Sequence, residues 1–472
     1  MGRAVRVGRT FMQRIGLVAI ITCAALGGCG KAGGGGANGG VPSVGGTATN
    51  GATSSGGSGG SFASGGMSTA TGTGGRTTTG GVTGGGGLNA GTGGTSTSSA
   101  STSSAGTGAS GTGSSGSIDG GSIDGGGGSG LWSMGYYASW APNQYPIAEI
   151  EWSGLTHIAM AFYLPQSNGS LNLSGGDDTL ATKLIAAAHA SGVKAMASIG
   201  GSDSQTGFQQ ATASAMVATF ASNLAKLIDL GYDGIDIDWE PMAKSDEPAV
   251  IDIANRIRKA KPAALLTIPI GEINVNMPPD LSGFATIAAA YDQLNIMSYG
   301  QAGAWQGWKS CHSSALYHTD SATPTSIDST VKLYLAANVP ARKLGIGVGF
   351  YGLCYTSPVT APDQALGGST IVANDGTMSY ANILANYYSA SARKWDDLAK
   401  VPYLTFSSPH APDNCTYISY DDEQSIAEKG AYAKAKGLGG VIQWELNEAY
   451  VSTAPAGQRN PLLKAIAASV LH

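Results

Sequence analysis

Charge is what this chain has least of. Only 12% of its 472 residues are charged, the formal net charge is −5, and no basic stripe runs through it. A nucleic-acid partner calls for clustered Lys and Arg, and so does an anionic membrane surface; both are excluded. Histidine is scarce as well, with six residues too scattered to complete a transition-metal shell. Of five cysteines, Cys23 and Cys29 lie near the start, leaving Cys311, Cys354 and Cys415. An exported chain can oxidise two of those three, and both Cys354 with Cys415 and Cys354 with Cys311 remain open. Long apolar runs are also missing. The stretch 15–26 is apolar and uncharged but shorter than the roughly 20 residues a spanning helix needs.

Glycine, by contrast, is abundant. The chain has 73, and roughly half fall between residues 31 and 130 among Ser, Thr and Ala. Such a segment has too few large apolar side chains to offset the entropy of ordering its backbone. Ahead of it, Arg3, Arg6, Arg9 and Arg14 precede the short apolar stretch, the layout of a secretory signal peptide. Leu26-Gly27-Gly28-Cys29 resembles a bacterial lipobox, which implies cleavage before Cys29 and a lipid on its sulfur. The expected organisation is a leader over 1–28, a Gly/Ser/Thr linker over 29–130 and one folded domain over 131–472. A linker of that kind reaches about 50–60 Å. The chain is then expected to be exported, monomeric, and either held at the membrane of the cell envelope through Cys29, at the outer membrane or cell surface, or secreted.

From residue 132 onward, apolar β-branched runs alternate with Ala-rich stretches of helical spacing. Strands are expected over 134–140, 157–163, 193–199, 234–239, 265–270, 293–299, 344–351 and 439–444. Helices are expected over 179–191, 214–230, 248–260, 326–337 and 423–436. Alternation of this kind argues for right-handed βαβ units and a parallel sheet. Eight of them suggest a closed (β/α)8 TIM barrel. An open doubly wound sheet competes, but no glycine-rich phosphate loop follows the first strand. The last two strands are too far apart for one crossover helix, so a small α+β insertion over about 353–416 is expected between strands 7 and 8, at the face where βα loops gather.

The densest chemistry is Tyr232-Asp233-Gly234-Ile235-Asp236-Ile237-Asp238-Trp239-Glu240. Side chains alternate along a strand, so Asp236, Asp238 and Glu240 share one face and Ile235, Ile237 and Trp239 the other. Asp233 has the wrong parity to join the row. Three acids facing inward are costly as packing. Crowding raises at least one pKa and so keeps a carboxylic acid protonated near neutrality, as general acid catalysis requires. A calcium loop would hold its acids in a turn, whereas isoleucines occupy the intervening positions here at strand period. No metal or organic cofactor is implied. No second strand offers an obvious partner acid.

Asp233-Gly234-Ile235-Asp236-Ile237-Asp238-Trp239-Glu240 resembles the signature of family 18 glycoside hydrolases, the chitinases and their relatives. Further resemblances follow in family order: Gly135-Tyr136-Tyr137-Ala138-Ser139-Trp140, Ser198-Ile199-Gly200-Gly201, Met297-Ser298-Tyr299, Gly349-Phe350-Tyr351-Gly352, Tyr420-Asp421-Asp422 and Gly440-Val441-Ile442-Gln443-Trp444-Glu445. The resemblance implies a retaining, substrate-assisted cleavage of β-1,4-N-acetylglucosamine linkages, with chitin or another such glycan as partner. Glu240 is then the general acid, Asp238 holds the acetamido N–H, Asp236 sets the charge and rotamer of Asp238, and Tyr299 binds the acetamido oxygen. Trp444 forms a floor under the sugar; Tyr351, Met297 and Trp140 are further substrate-binding candidates, and Ser198 supports the acid row. The resemblance also implies a non-proline cis bond at Trp444-Glu445. Two positions depart from the family pattern: Gly300 stands where Asp is common and Leu353 where Arg is frequent. An endo-β-N-acetylglucosaminidase acting on glycoprotein or cell-wall glycans, and a non-catalytic chitin-binding lectin-like protein, are the competing readings.

Overall fold

The computed structural model describes residues 130–472. The expected leader over 1–28, the lipidation site Cys29 and the linker up to residue 129 lie outside the described residues.

The strands, in chain order, are β1 (Trp132–Ala138), β2 (His157–Pro165), β3 (Leu171–Leu173), β4 (Lys194–Gly201), β5 (Gly234–Trp239), β6 (Leu265–Gly271), β7 (Gln293–Met297), β8 (Leu344–Gly349), β9 (Leu353–Thr356), β10 (Ile371–Val372), β11 (Arg393–Asp396), β12 (Val401–His410), β13 (Cys415–Ser419) and β14 (Gly440–Trp444). Eight of them, β1, β2, β4, β5, β6, β7, β8 and β14, pair in parallel, and β1 closes on β14. This is the (β/α)8 barrel. β3 is an antiparallel addition beside β2.

The helical layer forms where the alternation of apolar residues lengthens from two to between three and four. Helix Asp178–Ala190 starts where the Asp177 carboxylate accepts from the Leu180 amide, and Glu423–Lys436 starts on Asp422 and stops at Gly437, whose φ of 62° ends the helix. Helices Val217–Leu230 and Glu247–Ala260 fall close to the sequence expectation. Gln205–Ala211 and Phe284–Ala290 were absent from it, being too short to carry a period of their own.

Two apolar clusters organise the barrel. The larger lies between the outward strand faces and the helices and includes Ile235, Ile237 and Trp239. The smaller fills the barrel: Met134, Tyr136, Ala159, Ala161, Phe162, Met196 and Ile442, with Trp140, Met297, Tyr299 and Trp444 packed against it. The strands stop short of the expected ends at three places. β1 ends at Ala138, β7 at Met297 and β8 at Gly349. Trp140, Tyr299 and Tyr351 therefore stand on the loops just past the strands. Their apolar character reflects the lining of the barrel mouth rather than continued pairing.

Between β8 and β14 sits the insertion, a five-stranded antiparallel sheet in the order β10-β9-β13-β12-β11 with helix Tyr380–Asn386. Its last strand runs to Ser419, slightly beyond the expected 416. Neighbouring strands β9 and β13 carry the Cys354–Cys415 disulfide, with Cα atoms 5.5 Å apart. Cys311 is a buried free thiol whose amide donates to the Tyr355 hydroxyl, so the alternative pairing with Cys354 does not form. Among the described residues, no helix is long and apolar enough to cross a membrane.

Candidate active site

β5 carries out the alternation its sequence dictates. Trp239 points into the helical layer and stacks on Phe208, ring centroids 4.6 Å apart and nearly parallel at 7°. Asp236 and Asp238 face the barrel interior and are 0% and 3% exposed. Asp233, of opposite parity, instead accepts from the Ala195 amide and pairs with His189 at the rim.

Asp236 is held from three strands. Tyr136 on β1 donates to its Oδ2 at 3.0 Å, Ser198 on β4 to the same oxygen at 2.7 Å, and Thr267 on β6 to Oδ1 at 2.5 Å. Burial raises its pKa, and these three donors pull it back down. Asp238, two residues on, is treated differently. Its Oδ1 is buried without a hydrogen-bond partner. Burial first, then the charges of Glu240 and Asp236, push its carboxyl well above the usual range.

Glu240 follows the last residue of β5 and is only partly buried, so it stands at the mouth. Its backbone is fixed by the β4 loop: the Glu240 amide donates to Ser204 Oγ at 3.1 Å, and its carbonyl accepts from the Gln205 amide at 3.0 Å. Burial, and after it the charge of Asp203, pushes the Glu240 carboxyl up to about 7. The two glycines of Ser198-Ile199-Gly200-Gly201 permit this close approach. Gly200 has φ of 109°, and a Cβ there would lie 2.1 Å from the Asp238 carbonyl oxygen. At Gly201 (φ 88°) it would meet the Phe162 ring at 2.7 Å.

Tyr299 lies against the row. Burial, then Tyr351, then the charges of Asp238, Glu240 and Glu272 hold its hydroxyl well above the ordinary phenol range, so it remains a neutral donor. Its ring meets Tyr351 edge-on at 6.0 Å. Trp444, at the end of β14, stacks on Phe162 with centroids 5.4 Å apart and planes 17° from parallel. Trp140 packs on Phe162 with centroids 6.0 Å apart and on Trp444 at 6.3 Å, so the three rings form one cluster. Met297 packs in the same cluster. The structure thus brings together every residue the sequence singled out within the barrel: Glu240, Asp238, Asp236, Tyr299, Trp444, Tyr351, Ser198, Met297 and Trp140. The Trp444-Glu445 peptide is cis, as is Ala161-Phe162.

Several residues escaped the sequence reading. Glu272, immediately past β6, lies close enough to Glu240 for their charges to interact, and burial pushes its carboxyl up to about 7. It lies on the loop just beyond β6, which ends at Gly271, rather than on a second strand. The available signal was position alone, a lone acid just past a strand's C-terminal end. Asp375, from the insertion, accepts from the Trp444 indole at 3.2 Å. Glu445 and Glu448 stand behind it, and burial raises both; Glu445 reaches about 8. Of the two departures, Gly300 has φ of 66° and abuts the Tyr351 hydroxyl, where a side chain would be strained. Leu353 is buried in the insertion's own apolar cluster with Tyr355 and Tyr417.

This arrangement, a protonatable acid at the mouth with buried acids beneath it and aromatic rings packed in the same barrel, is suited to a proton transfer. Residues 133–449 match the family model described as glycosyl hydrolases family 18. The chain belongs to that family. Chitinase A1 of Niallia circulans is 32% identical over 290 residues, 54% of this chain and 40% of that protein. A chitinase-like effector of Moniliophthora roreri is 28% identical over 66% of this chain and 87% of its own length. The chain thus spans less than half the length of the bacterial relative. The crystal structure of a chitinase from Rhizomucor miehei superposes with a TM-score of 0.60 at 25% identity, over 71% of this chain and 99% of the other.

Proposed function

We propose that the chain is a glycosidase cleaving β-1,4-linked N-acetylglucosamine polymers, chitin or chitooligosaccharides, with the substrate's own acetamido group as nucleophile. The observation that carries this reading is the contrast along β5. Glu240, with a pKa near 7, can hold a proton at the mouth, while Asp238 beneath it offers a buried oxygen without a partner. Asp238 accepts from the acetamido N–H and turns the amide oxygen toward the anomeric carbon. Glu240 gives its proton to the glycosidic oxygen as the C1–O bond breaks and the amide oxygen bonds to C1. Water then attacks C1, Glu240 recovers the proton, and the oxazolinium ring reopens with the original anomeric configuration. Tyr299 donates to the amide oxygen, and Trp444 packs under the sugar face. Family membership and the names of the relatives, chitinases among them, support the same substrate class.

The experiment is hydrolysis of N-acetylglucosamine oligomers by the purified chain beside Glu240→Gln. Binding without cleavage in the variant is expected; equal turnover by the variant rules out the assigned acid. The proposal extends to location. The leader and Cys29 deliver the chain to the cell envelope as a lipoprotein, and a Cys29→Ser chain is expected to be released into the soluble fraction. An unaltered membrane fraction for Cys29→Ser rules out that anchor.

A further inference from the structure

Away from the acid row, a cavity of about 480 Å³ lies where the insertion meets the barrel's outer helices. Its walls come from helix Tyr380–Asn386, from Arg393 on β11, from the start of helix Glu423–Lys436 and from the segment 451–461. Neither Trp444 nor any acid of β5 lines it. The volume falls in the range of small-molecule sites.

Three features of the lining bear on an occupant. Tyr380, Tyr388 and Tyr420 line it; Tyr388 is 43% exposed, so the cavity reaches the surface and this ring is open to an occupant, while Tyr380 is 3% exposed. The polar groups are fixed in place: Arg393 donates through Nε and Nη2 to Asp422 at 2.9 and 2.7 Å and to Gln424 at 2.9 Å, and Tyr380 donates to Glu423 at 3.2 Å. Tyr420 is only 2% exposed, yet its hydroxyl has no hydrogen-bond partner.

The charges decide which ligand. One arginine against two carboxylates, Asp422 and Glu423, disfavours an anion, and Arg393 is already neutralised by Asp422. The exposed Tyr388 ring combined with amides (Gln424 and Gln458) and carboxylates matches a neutral polyhydroxylated ring, whose C–H face packs on tyrosine and whose hydroxyls both donate and accept. We propose that this cavity is a second saccharide-binding site, separate from the cleft of the acid row. The choice of an N-acetylglucosamine oligomer as probe rests on the glycosidase reading; the cavity itself does not.

The test is calorimetric titration of the N-acetylglucosamine tetramer into the full chain carrying Glu240→Gln, which prevents turnover. Gln458→Ala and Tyr388→Ala, both at exposed positions on the lining, are then added separately. A binding component weakened about tenfold by either change, the loss expected for one buried hydrogen bond or stacking contact, supports the site. Cleavage of the tetramer by chains carrying only these two changes is expected to stay at the parent level. An isotherm with no component sensitive to either substitution overturns the proposal. If the glycosidase reading alone fails, the parent chain leaves the tetramer uncut while the sensitive component persists.

Discussion

At the residue scale, three acids in one row meet very different surroundings. Asp236 receives three hydroxyl donors, Asp238 keeps an unpartnered oxygen, and Glu240 stands at the rim. Removing one donor with Ser198→Ala is expected to lower kcat about tenfold, the worth of one hydrogen bond to a charged group, with little change in KM. A KM effect with unchanged kcat would place Ser198 in substrate binding instead. In the proposed role Glu240 donates only while protonated, so kcat is expected to fall as pH rises through about 7. A kcat profile flat between pH 6 and 8 contradicts that role. Stability follows the same groups with a definite sign. Glu240 and Glu272 near 7 and Glu445 near 8 bind protons in the folded chain that the unfolded chain has already released. Between about pH 4.5 and 8, the contribution of these three groups to stability therefore declines as pH rises. Glu445→Gln should recover about 1–3 kcal/mol at pH 8.5 and little at pH 5, measured by denaturant unfolding at both values. The row was legible because parity along a strand is a strong signal. Glu272 and Asp375 were not, since one acid on a loop carries no period, and what makes them part of the site is proximity in three dimensions.

At the scale of elements, the barrel works because its strands can approach one another closely where the acids sit. Gly200 on β4 faces the Asp238 backbone, and Gly347 on β8 leaves room for the Tyr299 ring, 2.7 Å from where a Cβ would be. Gly200→Ala forces a side chain into a left-handed backbone against a carbonyl group. A loss of at least about 2 kcal/mol is expected, with activity falling as β4 and β5 separate. Urea midpoints report it, and an unchanged midpoint would mean the strands can part without cost. The strands themselves were readable from their apolar runs to within two residues. Their ends were less so: Trp140, Tyr299 and Tyr351 extend the apolar pattern past the ladder because the mouth, like the core, excludes water.

For the molecule as a whole, the barrel supplies the acids and the insertion supplies Asp375 and the wall beside Trp444. The position of the insertion was readable from the wide gap between the last two barrel strands. Its antiparallel sheet and the choice of cysteine pair were not, because three cysteines allow more than one bond and only strand pairing brings Cys354 to Cys415. Closing a separation of 61 residues, that bond is worth about 4 kcal/mol through the unfolded chain. The Cys354→Ser/Cys415→Ser chain should lose most of this in denaturant unfolding; equal stability would mean the unfolded chain is already constrained there. The claim on which the rest depends is that a proton on Glu240 and the sugar's own amide together break the bond. Proton NMR during the first minutes of N-acetylglucosamine tetramer hydrolysis tests it most directly. The new reducing ends should appear as the β-anomer and only later mutarotate, and Glu240→Gln should give none. Initial release of the α-anomer would contradict the account.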